Sequence, residues 1–375
     1  MIRLPEKMRK TLEKIVNELQ AKDNVYGIGL FGSWARGEAE PSSDVDLLIL
    51  DKSEANNEYV ERIEANGLLI DLNYIPEKWV HSLIPPELDQ KLYEMQVLYD
   101  RDWSLTNTKL LMMKSYNSPE RVGIRTEAHI VDSDIYLSRA TSAYSREDFH
   151  SAHLYAAIAL EDAMKILVEI ALEPFSSSRS LKVIEHSAAK LNKIDVFKNY
   201  LTVARLDNVS NAPDIKRKME LFRTMWNEFI VTAQEHSREL EKSHFIVKTK
   251  LDYYLSPLFL QGAIMRANSL IDSGRVLTAV HYLDCIFLDV VENYVWLKSS
   301  IIKFKVDLST LLYSVELLEN KNPRNFKQTI EFFDLANVGK TEAFDAITKA
   351  KNIMFDIRKD RRVLIRDQLS SKRMV

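Results

Sequence analysis

The residues best placed for chemistry lie in one short stretch, Gly29-Leu30-Phe31-Gly32-Ser33-Trp34-Ala35-Arg36-Gly37, followed by Ser42-Ser43-Asp44-Val45-Asp46-Leu47-Leu48-Ile49. An apolar run ends at Gly32, where the missing Cβ lets the backbone come close to a ligand. A helix start follows, so the amides of Gly32 and Ser33 would face anionic oxygens at the positive end of that helix. Asp44 and Asp46 alternate on a strand and therefore share a face. Two carboxylates on one face repel unless a cation joins them, and hard oxygen ligands favour Mg2+ or Mn2+. Two such ions could clamp the attacking and leaving oxygens of an in-line phosphoryl displacement. Asp71 sits within Leu68-Leu69-Ile70-Asp71-Leu72, where an unpaired buried charge would be costly, and a third metal-binding carboxylate explains its position.

These groups need a sheet to hold them. Five of the nine glycines precede residue 70, and short β-branched runs alternate with turns there. Met8, Leu12, Ile15, Val16 and Leu19 recur at helical spacing and predict a helix over 6–19. Strands are expected at 25–31, 45–50 and 68–75, with a possible fourth at 95–99. After about Thr106 glycine nearly vanishes and the apolar spacing becomes helical. An internal repeat runs through that half at an offset of 127–129 residues. Arg139, Ala140 and Ser142 match Arg266, Ala267 and Ser269; Ala152, Tyr155 and Asp162 match Ala279, Tyr282 and Asp289. Further on, Phe197, Leu206, Asn208, Val209 and Met225 match Phe326, Leu335, Asn337, Val338 and Met354. The expected architecture is α+β: a mixed sheet with helices over 1–118, then an all-α region of two tandem helical bundles, 119–246 and 247–375.

Composition narrows the classes. The chain has 375 residues, 46% apolar and 28% charged, with a formal charge of -3, which argues against a dedicated nucleic-acid coat and leaves only a local basic patch open. A single cysteine, Cys285, excludes an internal disulfide and a cysteine-rich zinc site, and reads as a small buried apolar residue. The N-terminus lacks the apolar core of a signal peptide, and no stretch has the roughly 18 uncharged apolar residues of a membrane helix. A cytoplasmic location is the expectation.

Gly32, Ser33, Asp44, Asp46 and Asp71 together resemble the pattern of the DNA polymerase β-like nucleotidyltransferase superfamily: Gly-Ser, a spacer of about ten residues, Asp-x-Asp, then a carboxylate on a later strand. Ala35-Arg36-Gly37 is similar to the small stand-alone members. The resemblance covers about the first 100 residues. It implies an enzyme that transfers a nucleoside monophosphate, AMP before any other, from a triphosphate to a hydroxyl, with release of pyrophosphate. Gly32 and Ser33 would hold the triphosphate, Asp44 and Asp46 both metals, and Asp71 the metal nearest the nucleophile. Arg36 has two readings, a phosphate contact or a solvated helix residue. Trp34 likewise stacks on a base or packs.

Within the apolar helix over 156–172, Leu160-Glu161-Asp162-Ala163-Met164-Lys165 resembles the helix of kanamycin nucleotidyltransferase-like enzymes that carries the catalytic base. That implies Glu161 as base and Lys165 as a phosphate or substrate contact; an ordinary helix-stabilising pair is the other reading. Only the first repeat copy keeps the pair, because Glu161 aligns with Leu288 and Lys165 with Glu292. Those relatives act as dimers, and the second copy here could replace the partner surface. The helical half also resembles the HEPN type, some members of which are ribonucleases using an Arg and a His; Arg179 and His186 are the corresponding pair. The remaining histidines have no metal-ligand spacing such as His-Glu-x-x-His. The acceptor stays open among an aminoglycoside-type small molecule, a protein side chain and a tRNA end. A catalytically silent nucleotide-binding module is disfavoured by the intact carboxylate set.

Overall fold

The computed structural model describes residues 4–52, 57–176, 179–207, 212–319 and 324–372. The first elements are α1 (Glu6–Gln20), β1 (Val25–Phe31), α2 (Gly32–Arg36), β2 (Val45–Asp51), β3 (Tyr59–Ala65), β4 (Leu68–Pro76), α3 (Lys78–His81), α4 (Asp89–Glu94), β5 (Gln96–Asp100) and α5 (Ser104–Ser115). Helices follow: α6 (Pro119–Ser145), α7 (Phe149–Ala171), α8 (Ser180–Lys190), α9 (Ile194–Val203), α10 (Ala212–Glu235), α11 (Ser237–Glu241), α12 (Phe245–Tyr254) and α13 (Pro257–Asp272). The last are α14 (Val276–Ile302), α15 (Leu311–Leu318), α16 (Arg324–Phe332) and α17 (Lys340–Lys372). This is the expected α+β class, a mixed sheet followed by an all-helical region.

The chain divides into two compact units, one of Met1–Arg121 with His244–Ser269 and one of Val122–Ser243 with Leu270–Val375. In the first, five strands run in the order β3-β4-β2-β1-β5. Only β2 and β4 pair parallel; the other pairs are antiparallel. Alternating residues of β2 feed two cores. Val45, Leu47 and Ile49 pack with Met8, Leu12, Ile15 and Leu19 of α1, whereas Leu48 and Leu50 pack with Leu88, Leu92, Met95 and Leu105. A sheet buried on both faces explains the near-continuous apolar reading of β1, β2 and β4. β3 escaped the sequence reading: Tyr59-Val60-Glu61-Arg62-Ile63-Glu64-Ala65 is a charged edge strand.

The boundaries expected at 118/119 and 246/247 differ from these contacts. Residues 244–269 join the sheet unit, where α12 packs on β3. In the helical unit, α14, α15, α16 and α17 fall near the expected repeat offset from α7, α8, α9 and α10, and the two sets interleave. α7 packs on α17, and α14 on α10; likewise α8 meets α14 and α15 meets α7. Each copy thus completes its core with the last helix of the other, which separate tandem bundles would not do. The repeat match at Asn208 and Val209 lies outside the described residues. No helix among the described residues is long and apolar enough to cross a membrane.

The helical core is aromatic. Phe229 and Phe332 stand with ring centroids 6.0 and 4.3 Å from Phe287, which is fully buried. Phe287→Ala is expected to lower unfolding stability by about 3–5 kcal/mol, to be checked by urea denaturation followed at helical and aromatic signals.

Candidate active site

The Gly-Ser turn forms where β1 runs into α2. Gly32 has φ +75°, and a Cβ there would stand 2.4 Å from Asp46 Oδ2. The position therefore requires glycine twice over, for the left-handed backbone and for the approach of the Asp46 carboxylate. Gly37, also left-handed, closes α2. The Gly32 amide, expected to face phosphate, donates to Glu94 Oε1 at 2.8 Å. Arg36 binds both oxygens of the same carboxylate at 2.7 Å and is also ion-paired with Glu38. Burial opposes the Arg36 charge, but Glu94 outweighs it and holds the guanidinium's pKa above its ordinary value. Arg36 thus anchors the turn instead of standing solvated. Trp34 packs against the core, and its buried Nε1 has no acceptor among the described residues.

Sheet register brings the acids together. Phe31 of β1 lies opposite Asp46 of β2, Asp46 opposite Asp71 of β4, and Asp71 opposite Arg62 of β3. Asp44, immediately before β2, completes the group. Arg62 grips Asp71 with Nε and NH2 at 2.6 Å each and reaches Asp44 at 2.8 Å. Arg266 of α13 binds the other oxygen of Asp44. The Tyr253 hydroxyl donates to Asp71 Oδ2 at 2.9 Å and accepts from Arg62 at 3.1 Å. The rings of Tyr253 and Phe259 flank the Arg62 guanidinium at 5.4 and 5.0 Å. Gly262 lets α13 close on this group, since a Cβ there would meet Arg62 and Leu69 at 2.8 Å.

The charges are unequally shared. Burial pushes the Asp44 carboxyl up, yet Arg266 and Arg62 more than offset it, and its pKa lies below the ordinary value. Asp71 is raised by burial against the pull of Arg62. Asp46 is raised well above its ordinary value, first by burial and then by Asp44 and Asp71. Three acids share two guanidinium groups, and Asp46 is the one left short of positive charge. As placed, Asp44 and Asp71 are engaged by Arg62 and Arg266; with those guanidinium groups displaced, Asp44, Asp46 and Asp71 would be the oxygen ligands of a hard divalent cation, which would neutralise phosphate charge.

Glu161 and Lys165 belong to the helical unit, on α7. Lys165 Nζ lies 3.4 Å from Glu161 Oε1 and 3.0 Å from Asp162 Oδ1. Burial raises the Glu161 carboxyl, but Lys165 and His281 outweigh it and hold it low, which weakens it as a base. His186 is exposed, 3.6 Å from Glu173, and Arg179 precedes α8. Sequence reasoning missed Arg62, Glu94 and Tyr253 and met Arg266 only as a repeat match to Arg139; the mixed, charged sequence of β3 gave Arg62 no signal.

Two outcomes follow from this geometry. Gly32→Ala should destabilise the sheet unit by about 1–3 kcal/mol, read as a lower denaturation midpoint. An acid whose pKa is raised on folding stabilises the fold below its unfolded pKa and loses that contribution as pH rises through the folded value. Asp46→Asn removes the charge that appears at high pH. It should therefore raise the melting temperature at pH 8, by about 1–2 kcal/mol of added stability, and less at pH 4. Equal effects at both pH values would contradict the assigned charge imbalance.

Comparison with known proteins bears on the reaction class. A family model described as a nucleotidyltransferase domain matches residues 12–101, which hold Gly32, Ser33 and the three aspartates. A curated protein of Methanocaldococcus jannaschii, named "Putative protein adenylyltransferase MJ1379", is 37% identical over 84 residues, 20% of this chain and 80% of its own. A solved nucleotidyltransferase-like protein from Exiguobacterium sibiricum aligns with a TM-score of 0.34 at 14% identity, over 77% of this chain and 91% of its own. The chain belongs to the nucleotidyltransferase domain family, and its reaction class is nucleotidyl transfer.

Proposed function

We propose that the chain transfers AMP from ATP to a hydroxyl on a protein side chain, releasing pyrophosphate, with Mg2+ or Mn2+ held by Asp44, Asp46 and Asp71. The observation that carries the reading is the cross-sheet row of carboxylates in which Asp46 lacks a counter-charge. Two divalent ions are what this donor set would take, and they supply the neutralisation that phosphoryl transfer needs. Gly32 and Ser33 form the phosphate-side turn, held in place by Arg36 and Glu94. With cations on the carboxylates, Arg62 and Arg266 would lose these partners and would be free to bind the triphosphate oxygens. The acceptor oxygen then attacks the α-phosphorus, the bond to pyrophosphate breaks, and Asp71 takes the hydroxyl proton. The Tyr253 hydroxyl at 2.9 Å supports this last role, since Asp71 already holds a phenol oxygen.

The protein acceptor rests on the archaeal relative, whose name describes a protein adenylyltransferase. The small-molecule reading rests on Glu161 and Lys165, which resemble the base-bearing helix of the aminoglycoside-modifying enzymes. One incubation separates them: α-labelled ATP and Mg2+ with a protein extract, an aminoglycoside mixture or tRNA. Label is expected in the protein fraction, with other triphosphates transferring less. EDTA should abolish transfer, and Asp46→Asn should reduce it by at least roughly 10²–10³-fold. Label confined to aminoglycosides or tRNA would overturn the acceptor, and metal-independent labelling would overturn the mechanism.

A further inference from the structure

The helical unit holds a polar cluster that the proposed transfer to a protein hydroxyl does not use. A cavity of about 60 Å3 between α7, α9 and α14 is lined by Glu161, Tyr200, His281 and Cys285. Cys285 Sγ lies 3.6 Å from Glu161 Oε2 and 3.7 Å from His281 Nε2, and those two atoms are 4.0 Å apart. A point equidistant from all three is about 2.2 Å from each, the length of zinc bonds to oxygen, nitrogen and sulfur. His281 and Cys285 are four residues apart on α14 and share a helix face, with Glu161 approaching from α7.

The surrounding groups suit such a site. Ser180 Oγ is 3.1 Å from His281 Nδ1, so a proton there fixes the ring and leaves Nε2 as the donor. Lys165 lies 3.4 Å from Oε1 of Glu161, the oxygen nearer the helix's own charges, leaving Oε2 as the ligand atom. The Tyr200 hydroxyl donates to Nε2 at 2.7 Å, a bond that a metal on Nε2 would displace. A carboxylate and a thiolate together balance a divalent charge.

The internal repeat gives an independent reason. At an offset of 127, the counterparts of Glu161, His281 and Cys285 are Leu288, Leu154 and Ile158. These three line the same cavity. Apolar side chains therefore satisfy the packing at these repeat positions, and the three donors are not needed for the helices to meet. Lys165, Ser180 and Tyr200 partner the acid and the imidazole, so the three donors are held converging on one point at positions where apolar residues would pack.

We propose that Glu161, His281 and Cys285 form a transition-metal site for an ion of the Zn2+ class, its fourth position facing the cavity and Tyr200. Sulfur and imidazole donors select Zn2+ or Co2+ over the Mg2+ or Mn2+ suited to the aspartates. The site joins α7 of one repeat copy to α14 of the other, and it rests on the proposed protein-acceptor reading in that Glu161 is then not the base of the transfer reaction.

Co2+ added to the metal-stripped full-length chain tests it. One equivalent should bind with a sulfur-to-cobalt charge-transfer band that Zn2+ removes. Cys285 is the chain's one cysteine, so the band in the wild type identifies the ligand by itself. Cys285→Ser should lose the band, Glu161→Gln should weaken Co2+ binding at least about tenfold, and Asp46→Asn should keep it. Zn2+ should raise the melting temperature of the wild type and leave Cys285→Ser, checked for native helicity, unchanged. No saturable binding, or Co2+ binding without a thiolate band, would overturn the proposal; if Cys285→Ser fails to fold, the wild-type band decides alone.

Discussion

Carboxylates placed side by side on neighbouring strands repel, and everything around the sheet of this chain is arranged about that repulsion. Parallel pairing of β2 with β4 puts Asp46 directly against Asp71, and the end of β2 adds Asp44. In water such a group would tolerate its charge; half-buried between strands it must find counter-charge or keep a proton. Here it does both. Arg62 and Arg266 satisfy Asp44 and Asp71, while Asp46 is left with its pKa well raised.

The need for counter-charge explains features that otherwise look unrelated. β3 is a poor apolar strand, yet its Arg62 is almost fully buried because the strand opposite carries Asp71. Residues 244–269 leave the helical sequence and return to the sheet unit, where Tyr253, Phe259 and Arg266 enclose the same guanidinium and acid group. Gly262 is the position that permits the approach. On the other side, Gly32 makes room for Asp46, and Glu94 with Arg36 holds the turn that presents it. A cation that displaced the guanidinium groups would convert a structural charge balance into a catalytic one.

Much of this was legible in the sequence where the signal was local. β1, β2 and β4 announced themselves because strands buried on both faces are continuously apolar, and the spacing of Asp44, Asp46 and Asp71 marked the acids that the register brings together. β3 did not, since an edge strand with Glu61, Arg62 and Glu64 has no apolar pattern. Tyr253 and Arg266 were invisible for a different reason: they meet Asp71 and Asp44 across 182 and 222 residues, and no local pattern records such contacts. The repeat was legible as matched residues, but not the interleaving of its copies, which depends on which helix faces meet. Glu161 and Lys165 were readable as an i, i+4 pair, whereas their neighbours His281 and Cys285 come from the other copy.

The proposed function has the aspartate group short of cationic charge until a divalent metal binds with nucleotide. Calorimetric titration of Mg2+ and ATP near pH 6, repeated in buffers of different ionisation enthalpy, measures it directly through the protons exchanged on binding. The wild type should release up to about one proton per site beyond that released by Mg2+ and ATP alone, and Asp46→Asn should release clearly fewer. Identical proton exchange by the two proteins, or nucleotide binding unaffected by the metal, would contradict the account.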